Sequence, residues 1–327
     1  MAGDKAGRDD AQLRLAPTMM ASALSGAMAR VPCHPIDTIK ARLQTQTWIK
    51  GSGTVYRNFV HGLGEIWRAE GLRGLYRGFG PTVLGSIPAS CVYFTAYELT
   101  KSELGKHFSG DSPFFVHLAG GMIAETVSCV LWVPIDVVKE RMQIQSLPKG
   151  SSAAELKLAQ GHGFYSGGAD AMRSIWRTEG LAGFYRGYGA TVLSFGPFSA
   201  LYFTFYEQLK RKIERSYFDR AQETYVSQMP TSVFLFCGAV AGAGASFFTN
   251  PLDLVKLRMQ VQRQSGREVP SAERYLHTGD GLVKLARSEG LPGMLRGVGA
   301  RMAFHAPATA IGMALFEKLK TVTYAIV

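Results

Sequence analysis

PIDTIKARLQ at residues 35–44 returns twice more, as PIDVVKERMQ at 134–143 and PLDLVKLRMQ at 251–260. Each copy holds Pro first, Asp two residues on, Lys five on, Arg seven on and Gln nine on. Five fixed positions in three copies that differ elsewhere mark an internal repeat of roughly a hundred residues, and this period overrides the one- or two-domain expectation set by length alone.

Two further elements follow each copy. Glu70-Gly71-Leu72, Glu179-Gly180-Leu181 and Glu289-Gly290-Leu291 are each followed by an Arg-Gly pair: Arg77-Gly78, Arg186-Gly187 and Arg296-Gly297. The unit closes with Tyr97-Glu98 and Lys101, Tyr206-Glu207 and Lys210, and Phe316-Glu317 and Lys320. Gly71 to Glu98, Gly180 to Glu207 and Gly290 to Glu317 all span 27 residues, whereas Pro35 to Gly71, Pro134 to Gly180 and Pro251 to Gly290 span 36, 46 and 39. All the length variation therefore lies in one connecting loop, outside the packed part of the unit.

Composition narrows the class. Hydrophobic residues make up 46% and mean hydropathy is +0.03, low for a polytopic membrane protein unless its helices surround a polar cavity. Six apolar stretches of roughly spanning length can be drawn, at about 17–31, 79–97, 113–133, 188–206, 231–249 and 298–316. The net charge of +11 is spread through all three repeats with no basic tract interleaved with aromatics, so nucleic acid is not an expected partner. Cys33, Cys91, Cys129 and Cys237 fall in apolar segments without metal-ligand spacing; they read as buried thiols, and no metal or other cofactor is expected. The first ten residues hold three Asp before any apolar run, unlike a secretory signal or transit peptide.

In each odd-numbered stretch the apolar run leads into the motif Pro, which lacks an N–H and is expected to bend the helix. The Asp, Lys and Gln beyond it fall at i, i+3 and i+7, on one helical face. The variable loops hold short amphipathic patterns, such as residues 58–68, expected as surface helices.

The three PxDxxKxRxQ stretches, three EGL...RG stretches and three [Tyr/Phe]-Glu-x-x-Lys closures together resemble the mitochondrial carrier family over about residues 14–323. The resemblance implies an all-α membrane protein of six transmembrane helices, in three pseudo-symmetric repeats around a central cavity, with short matrix surface helices. The expected division is an N-terminal tail at 1–13 and repeats at 14–107, 113–213 and 230–323. It also implies a multi-pass location in the mitochondrial inner membrane, a monomer, and a small-molecule solute moved by alternating access.

With three bent helices around a pseudo-threefold axis, Asp of one faces Lys of the next: Asp37 with Lys139, Asp136 with Lys256, Asp253 with Lys40. The plainer alternative is an intrahelical i, i+3 pair worth only about 0.2–0.5 kcal/mol. By the resemblance these six residues form the matrix gate, braced by Gln44, Gln143 and Gln260. The opposite, cytoplasmic gate pairs Glu98 with Lys210, Glu207 with Lys320 and Glu317 with Lys101. Tyr97 and Tyr206 match its tyrosine braces, and Phe316 lacks the hydroxyl for the third. Arg77-Gly78 and Arg186-Gly187, each after Tyr, are similar to the family's cardiolipin sites at helix N-termini; Leu295 breaks the pattern in the third repeat.

Counting from the closure Glu through Pro88, Pro197 and Pro307, the solute-contact positions implied by the resemblance are Ala89 and Tyr93, Ser194 and Phe195, and His305. None is Arg, unlike carriers of keto acids and of many amino acids. Arg30 and Glu125 are charged residues at membrane depth, functional candidates by default. Alternatively they pair with each other or with water and only shape the cavity.

The third stretch is similar to the corresponding segment of S-adenosylmethionine carriers. Mitoferrin-like metal carriers are the alternative, but Ser194-Phe195 stands where they carry Met-Asn. A charge-pair cavity with aromatic faces suits a zwitterionic or cationic solute, S-adenosylmethionine-like or an amino acid. A non-transporting membrane adaptor is the reading from another class, and an enzyme is not expected because no nucleophile, base and oxyanion set assembles.

Overall fold

The computed structural model describes residues 2–46, 56–107, 113–146, 164–218, 231–262, 273–308 and 311. No strand occurs among them, and the protein is all-α. In chain order the helices are α1 (Ala2–Thr45), α2 (Phe59–Glu70), α3 (Leu72–Leu75), α4 (Phe79–His107) and α5 (Pro113–Gln143). They continue as α6 (Gly168–Phe184), α7 (Tyr188–Phe218), α8 (Thr231–Phe248), α9 (Asn250–Val261), α10 (Thr278–Met294) and α11, described over 298–308. Helix α1 begins well before the first apolar stretch, so residues 2–13 are helical.

The motif prolines act differently in the three repeats. Helices α1 and α5 continue through Pro35 and Pro134, whereas in the third repeat the helix breaks at Thr249 and α8 and α9 meet at a bend of 67°. Thr249 has φ −93° and ψ 5°, and Pro251 starts the new helix where its missing N–H leaves no bond unmade. A bend was expected at each motif Pro; a bend with a break in the helix is found in the third repeat. A proline removes a single backbone bond, and the flanking turns of α1 and α5 keep their own.

Helix α5 has apolar residues outside and charges inside. Met122, Ile123, Val127, Val130 and Leu131 are exposed on its outer side, while Asp136 and Lys139 are buried. Such an outward apolar surface fits a hydrocarbon surround. Ala119–Gln143 is long and apolar enough to cross a bilayer, and Leu235–Phe248 with Asn250–Val261 passes as a bent pair.

The motif helices α1, α5 and α9 touch one another pairwise, which closes the bundle at one end. Beneath each lies the same small core. Ile39, Val138 and Val255 sit four residues after the motif Pro, Tyr56, Tyr165 and Tyr275 fourteen before the EGL Glu, and Ile66, Ile175 and Leu285 four before it. All nine are buried, and they divide among three clusters, one per repeat. Burying one such aliphatic side chain contributes about 1.5–3 kcal/mol, enough to hold α2, α6 and α10 against the motif helices. Helix α2 starts at Asn58, whose side chain accepts from the His61 N–H at 2.8 Å, and ends at Gly71, whose φ of 68° turns the chain into α3.

Candidate functional site

Where α1, α5 and α9 converge, three ion pairs run between repeats. Lys139 Nζ lies 2.7 Å from Asp37 Oδ2, Lys256 Nζ 2.8 Å from Asp136 Oδ2, and Lys40 Nζ 2.8 Å from Asp253 Oδ2. Each Asp meets the Lys of another helix; these pairs are interhelical. Their side chains are mostly buried, so removing one partner leaves an uncompensated charge out of water, at a cost of about 3–5 kcal/mol.

The expected glutamines are also here. Gln143 Nε2 donates to Asp37 Oδ2 at 3.4 Å and to Thr38 Oγ1 at 3.2 Å, and Gln44 Nε2 donates to Asp253 Oδ2 at 3.3 Å and Asn250 Oδ1 at 3.4 Å. Gln260 departs from this pattern: its side-chain amide has no hydrogen-bond partner among the described residues, and its Cγ lies where a Cβ on Gly187 would be only 3.1 Å away.

A layer that motif spacing did not foretell lies next to the glutamines. Arg42 donates through Nε to the Gln143 carbonyl at 2.9 Å, Arg141 to the Gln260 carbonyl at 3.0 Å, and Arg258 to the Gln44 carbonyl at 3.5 Å, so each repeat holds the backbone of another. The same arginines form ion pairs with Glu70, Glu179 and Glu289, which also face Arg77, Arg186 and Arg296. Arg141 and Arg258 are wholly buried. Burial pushes the Tyr275 phenol above its usual range, so it stays neutral and accepts from Arg258 Nη1 at 3.1 Å. The common position of these Arg and Glu in every repeat was the available signal; their pairing depends on how the variable loop folds back.

His34, read as family variation, is buried and meets the Arg77 carbonyl at 2.9 Å through Nε2. In the third repeat Asn250 occupies the same position and donates to the Arg296 carbonyl at 3.3 Å.

Above the ring is a cavity of about 430 Å³. Arg30, Glu125, Ser194, Phe195 and His305 all line it, with the six residues of the ion-pair ring. Glu140 and Arg301 line it too, and neither was anticipated. Arg301 adds an arginine on the sixth stretch beyond the contact positions read from the sequence: it stands one turn before His305, reaches Asp253 Oδ2 at 3.4 Å and lies 5.6 Å from the Phe198 ring. Thr82 and Thr191 hold its place in the other repeats. Five acidic and five basic side chains line this cavity, so its walls are balanced in formal charge.

Among the described residues no ion pair joins Arg30 to Glu125. The Arg30 guanidinium lies 4.6 Å from the centre of the Trp132 ring, and Glu125 Oε1 accepts weakly from Cys129 Sγ at 3.7 Å. Ala89 and Tyr93 line a second cavity of about 310 Å³ that shares Arg30, Glu125 and Trp132 with the first.

At the other end of the bundle, Lys101 Nζ lies 6.0 Å from the Tyr97 ring, Tyr97 stacks on Tyr93 at 6.3 Å, and Tyr206 stacks on Tyr202 at 6.1 Å. Lys210 lies 3.8 Å from Glu214 and Arg211 3.7 Å from Glu207, both along α7. Glu98 is on α4, and Phe316, Glu317 and Lys320 lie outside the described residues.

Arg77 and Arg186 turn inward. Arg77 Nη2 is 3.3 Å from Glu70 and Arg186 Nη2 is 3.0 Å from Glu179, so these guanidinium groups are engaged within the protein. Gly78 and Gly187, with φ of 78° and 81°, immediately precede α4 and α7.

A family model described as mitochondrial carrier protein matches residues 11–108, 110–217 and 227–325. The chain is 32% identical over 305 residues to Mitochondrial substrate carrier family protein E of Dictyostelium discoideum, covering 92% of this chain and 94% of the relative. It is 32% identical to Mitoferrin of the same organism, covering 92% of each. It is 34% identical to the S-adenosylmethionine mitochondrial carrier protein homolog of Drosophila melanogaster, covering 81% of this chain and 80% of that one.

Proposed function

This chain belongs to the mitochondrial carrier family, whose members transport small solutes, and on that premise we propose a six-span carrier of the mitochondrial inner membrane for a zwitterionic or cationic solute. The three repeats, at 14–107, 113–213 and 230–323, each supply two spans. The ring of Asp37, Lys139, Asp136, Lys256, Asp253 and Lys40 is the matrix gate, with Gln44 and Gln143 bracing it. The three formed ion pairs support reading this as its closed state. Glu98, Lys101, Glu207, Lys210, Glu317 and Lys320, with Tyr97 and Tyr206, form the cytoplasmic gate. Bound solute drives the exchange between gates by favouring the state in which both are loosened. The protein works as a monomer, with cardiolipin headgroups against the backbone at Gly78 and Gly187.

One observation carries the choice of solute. A cavity balanced between five acids and five bases, with Arg30 and Glu125 on facing helices and not paired to each other, offers one partner to an anionic group and one to a cationic group. A dicarboxylate or a nucleotide polyphosphate meets Glu125, Glu140 and the ring aspartates with no excess of positive charge. S-adenosylmethionine and cationic amino acids have the required carboxylate, ammonium and further cation, and the Drosophila relative's name supports the former. A divalent metal is the second reading, favoured by the similarity to Mitoferrin.

Reconstitution in liposomes tests these readings. Uptake of S-adenosylmethionine or a cationic amino acid is expected, with Glu125→Gln impairing it more than Ser194→Ala. Uptake of malate, ATP or Fe²⁺ instead, or a silent Glu125→Gln, contradicts the charge-pair reading.

A further inference from the structure

Two chambers meet at Arg30, Glu125 and Trp132, and they differ in chemistry. The larger holds the ion pairs. The smaller, between α1, α4 and α5, is walled by Tyr93, Phe94 and Trp132, with the hydroxyl-bearing Ser90 and Ser128 beside them. Tyr93 and Phe94 stand at 87° to each other with centroids 5.5 Å apart, and Tyr93 is held nearly parallel to Tyr97, at 6° and 6.3 Å. A chamber walled by three aromatic rings, with two hydroxyls beside them, suits a flat group that is apolar on its faces and polar on its edges.

A small amino acid fills only the charged chamber. Its carboxylate, ammonium and side-chain cation find Arg30, Glu125 and the ring residues there, and the aromatic chamber is left unused. We propose that the aromatic chamber is a subsite for a planar heteroaromatic group, such as the purine of a nucleoside, on a solute whose zwitterionic end lies in the charged chamber. Glu125, common to both, then faces the cationic centre that joins the two halves. This rests on the zwitterion reading above and narrows it to solutes of two unlike parts.

The test compares ligands that share one half. S-Methylmethionine has the zwitterionic head and sulfonium of S-adenosylmethionine without the nucleoside, and adenosine has the nucleoside without the head. On purified wild-type protein, S-adenosylmethionine is expected to bind about tenfold more tightly than S-methylmethionine, the effect of one stacked base. Adenosine is expected to compete with it. Phe94→Ala, which removes a wall, and Ser90→Leu, which fills the chamber, are each expected to bring the ratio toward one. Equal binding of the two sulfonium compounds by wild type, or a tenfold ratio preserved in both variants, overturns the subsite while leaving the zwitterion reading intact. Binding of arginine or lysine but of neither sulfonium compound overturns the subsite alone, and binding of none of these solutes overturns both readings.

Discussion

Lys139 is shared by two carboxylates: its Nζ lies 2.7 Å from Asp37 across the joint between α1 and α5, and 3.1 Å from Glu140, its neighbour in sequence. Glu140 stands where the other repeats have Ala41 and Leu257, and its Oε2 is buried without a hydrogen-bond partner among the described residues. One lysine therefore faces two carboxylates and offsets one of their two charges. Lys139→Ala is predicted to lower stability by about 3–5 kcal/mol and transport by at least tenfold. Adding Glu140→Gln to Lys139→Ala is predicted to recover part of the melting temperature, since one of the two stranded charges is removed. Thermal denaturation of the three proteins checks this.

The buried arginines give a second prediction. Arg141 is wholly enclosed and faces Glu179, whereas Arg68 is 82% exposed and lies 3.7 Å from Glu65. Glu179→Gln strands a buried guanidinium and is predicted to cost several times more than Glu65→Gln, which removes a surface pair worth about 0–1 kcal/mol. Melting curves of the two variants in one detergent decide it.

Gly78 offers a third. Its φ is 78°, and a Cβ there would lie 2.9 Å from the Lys139 carbonyl oxygen, so Gly78→Ala strains its own backbone and pushes on the helix that carries the ring. A loss of about 1–3 kcal/mol is expected. Gly80→Ala, on α4 with open space around the added carbon, is expected to be neutral or slightly stabilising. Equal losses at the two positions would contradict this account of Gly78.

With Arg77 and Arg186 engaged inward, the proposed cardiolipin contact falls to the backbone N–H groups in the first turns of α4 and α7 beyond Phe79 and Tyr188, whose own N–H groups donate to the Tyr76 and Tyr185 carbonyls. Cardiolipin is predicted to raise the melting temperature more than a zwitterionic lipid does. Identical melting temperatures would remove the lipid from the account.

The repeat, the all-helical class and the interhelical partners of Asp37, Asp136 and Asp253 were legible in the sequence because i, i+3 spacing fixes a helical face and a threefold repeat supplies the neighbour. Arg42, Arg141 and Arg258 were visible as constant positions, but their partners lie 28, 38 and 31 residues on, across loops of unequal length. Glu140 and Arg301 escaped for the opposite reason: each occurs in one repeat only, so a search for what the repeats share passes over them. The motif Pro was legible as a bend signal, but not that the third repeat alone would break its helix there, at Thr249, while α1 and α5 continue through theirs. Arg77 and Arg186 turn to Glu70 and Glu179, seven residues before them within the EGL...RG element, a pairing that the lipid-site resemblance passed over.

The central claim is that the interhelical pairs form a gate that must break and re-form. A charge swap tests it most directly, and the structure selects the pair. Exchanging Asp37 with Lys139 would set an aspartate beside Glu140, and exchanging Asp253 with Lys40 would set a lysine beside Arg301, whereas Lys256 and Asp136 each have one ion-pair partner among the described residues. Transport in liposomes by Asp136→Lys, Lys256→Asp and the double variant is the measurement. Each single change is predicted to abolish most transport and the double variant to recover a substantial part of it; recovery no better than in the single variants would contradict the gate.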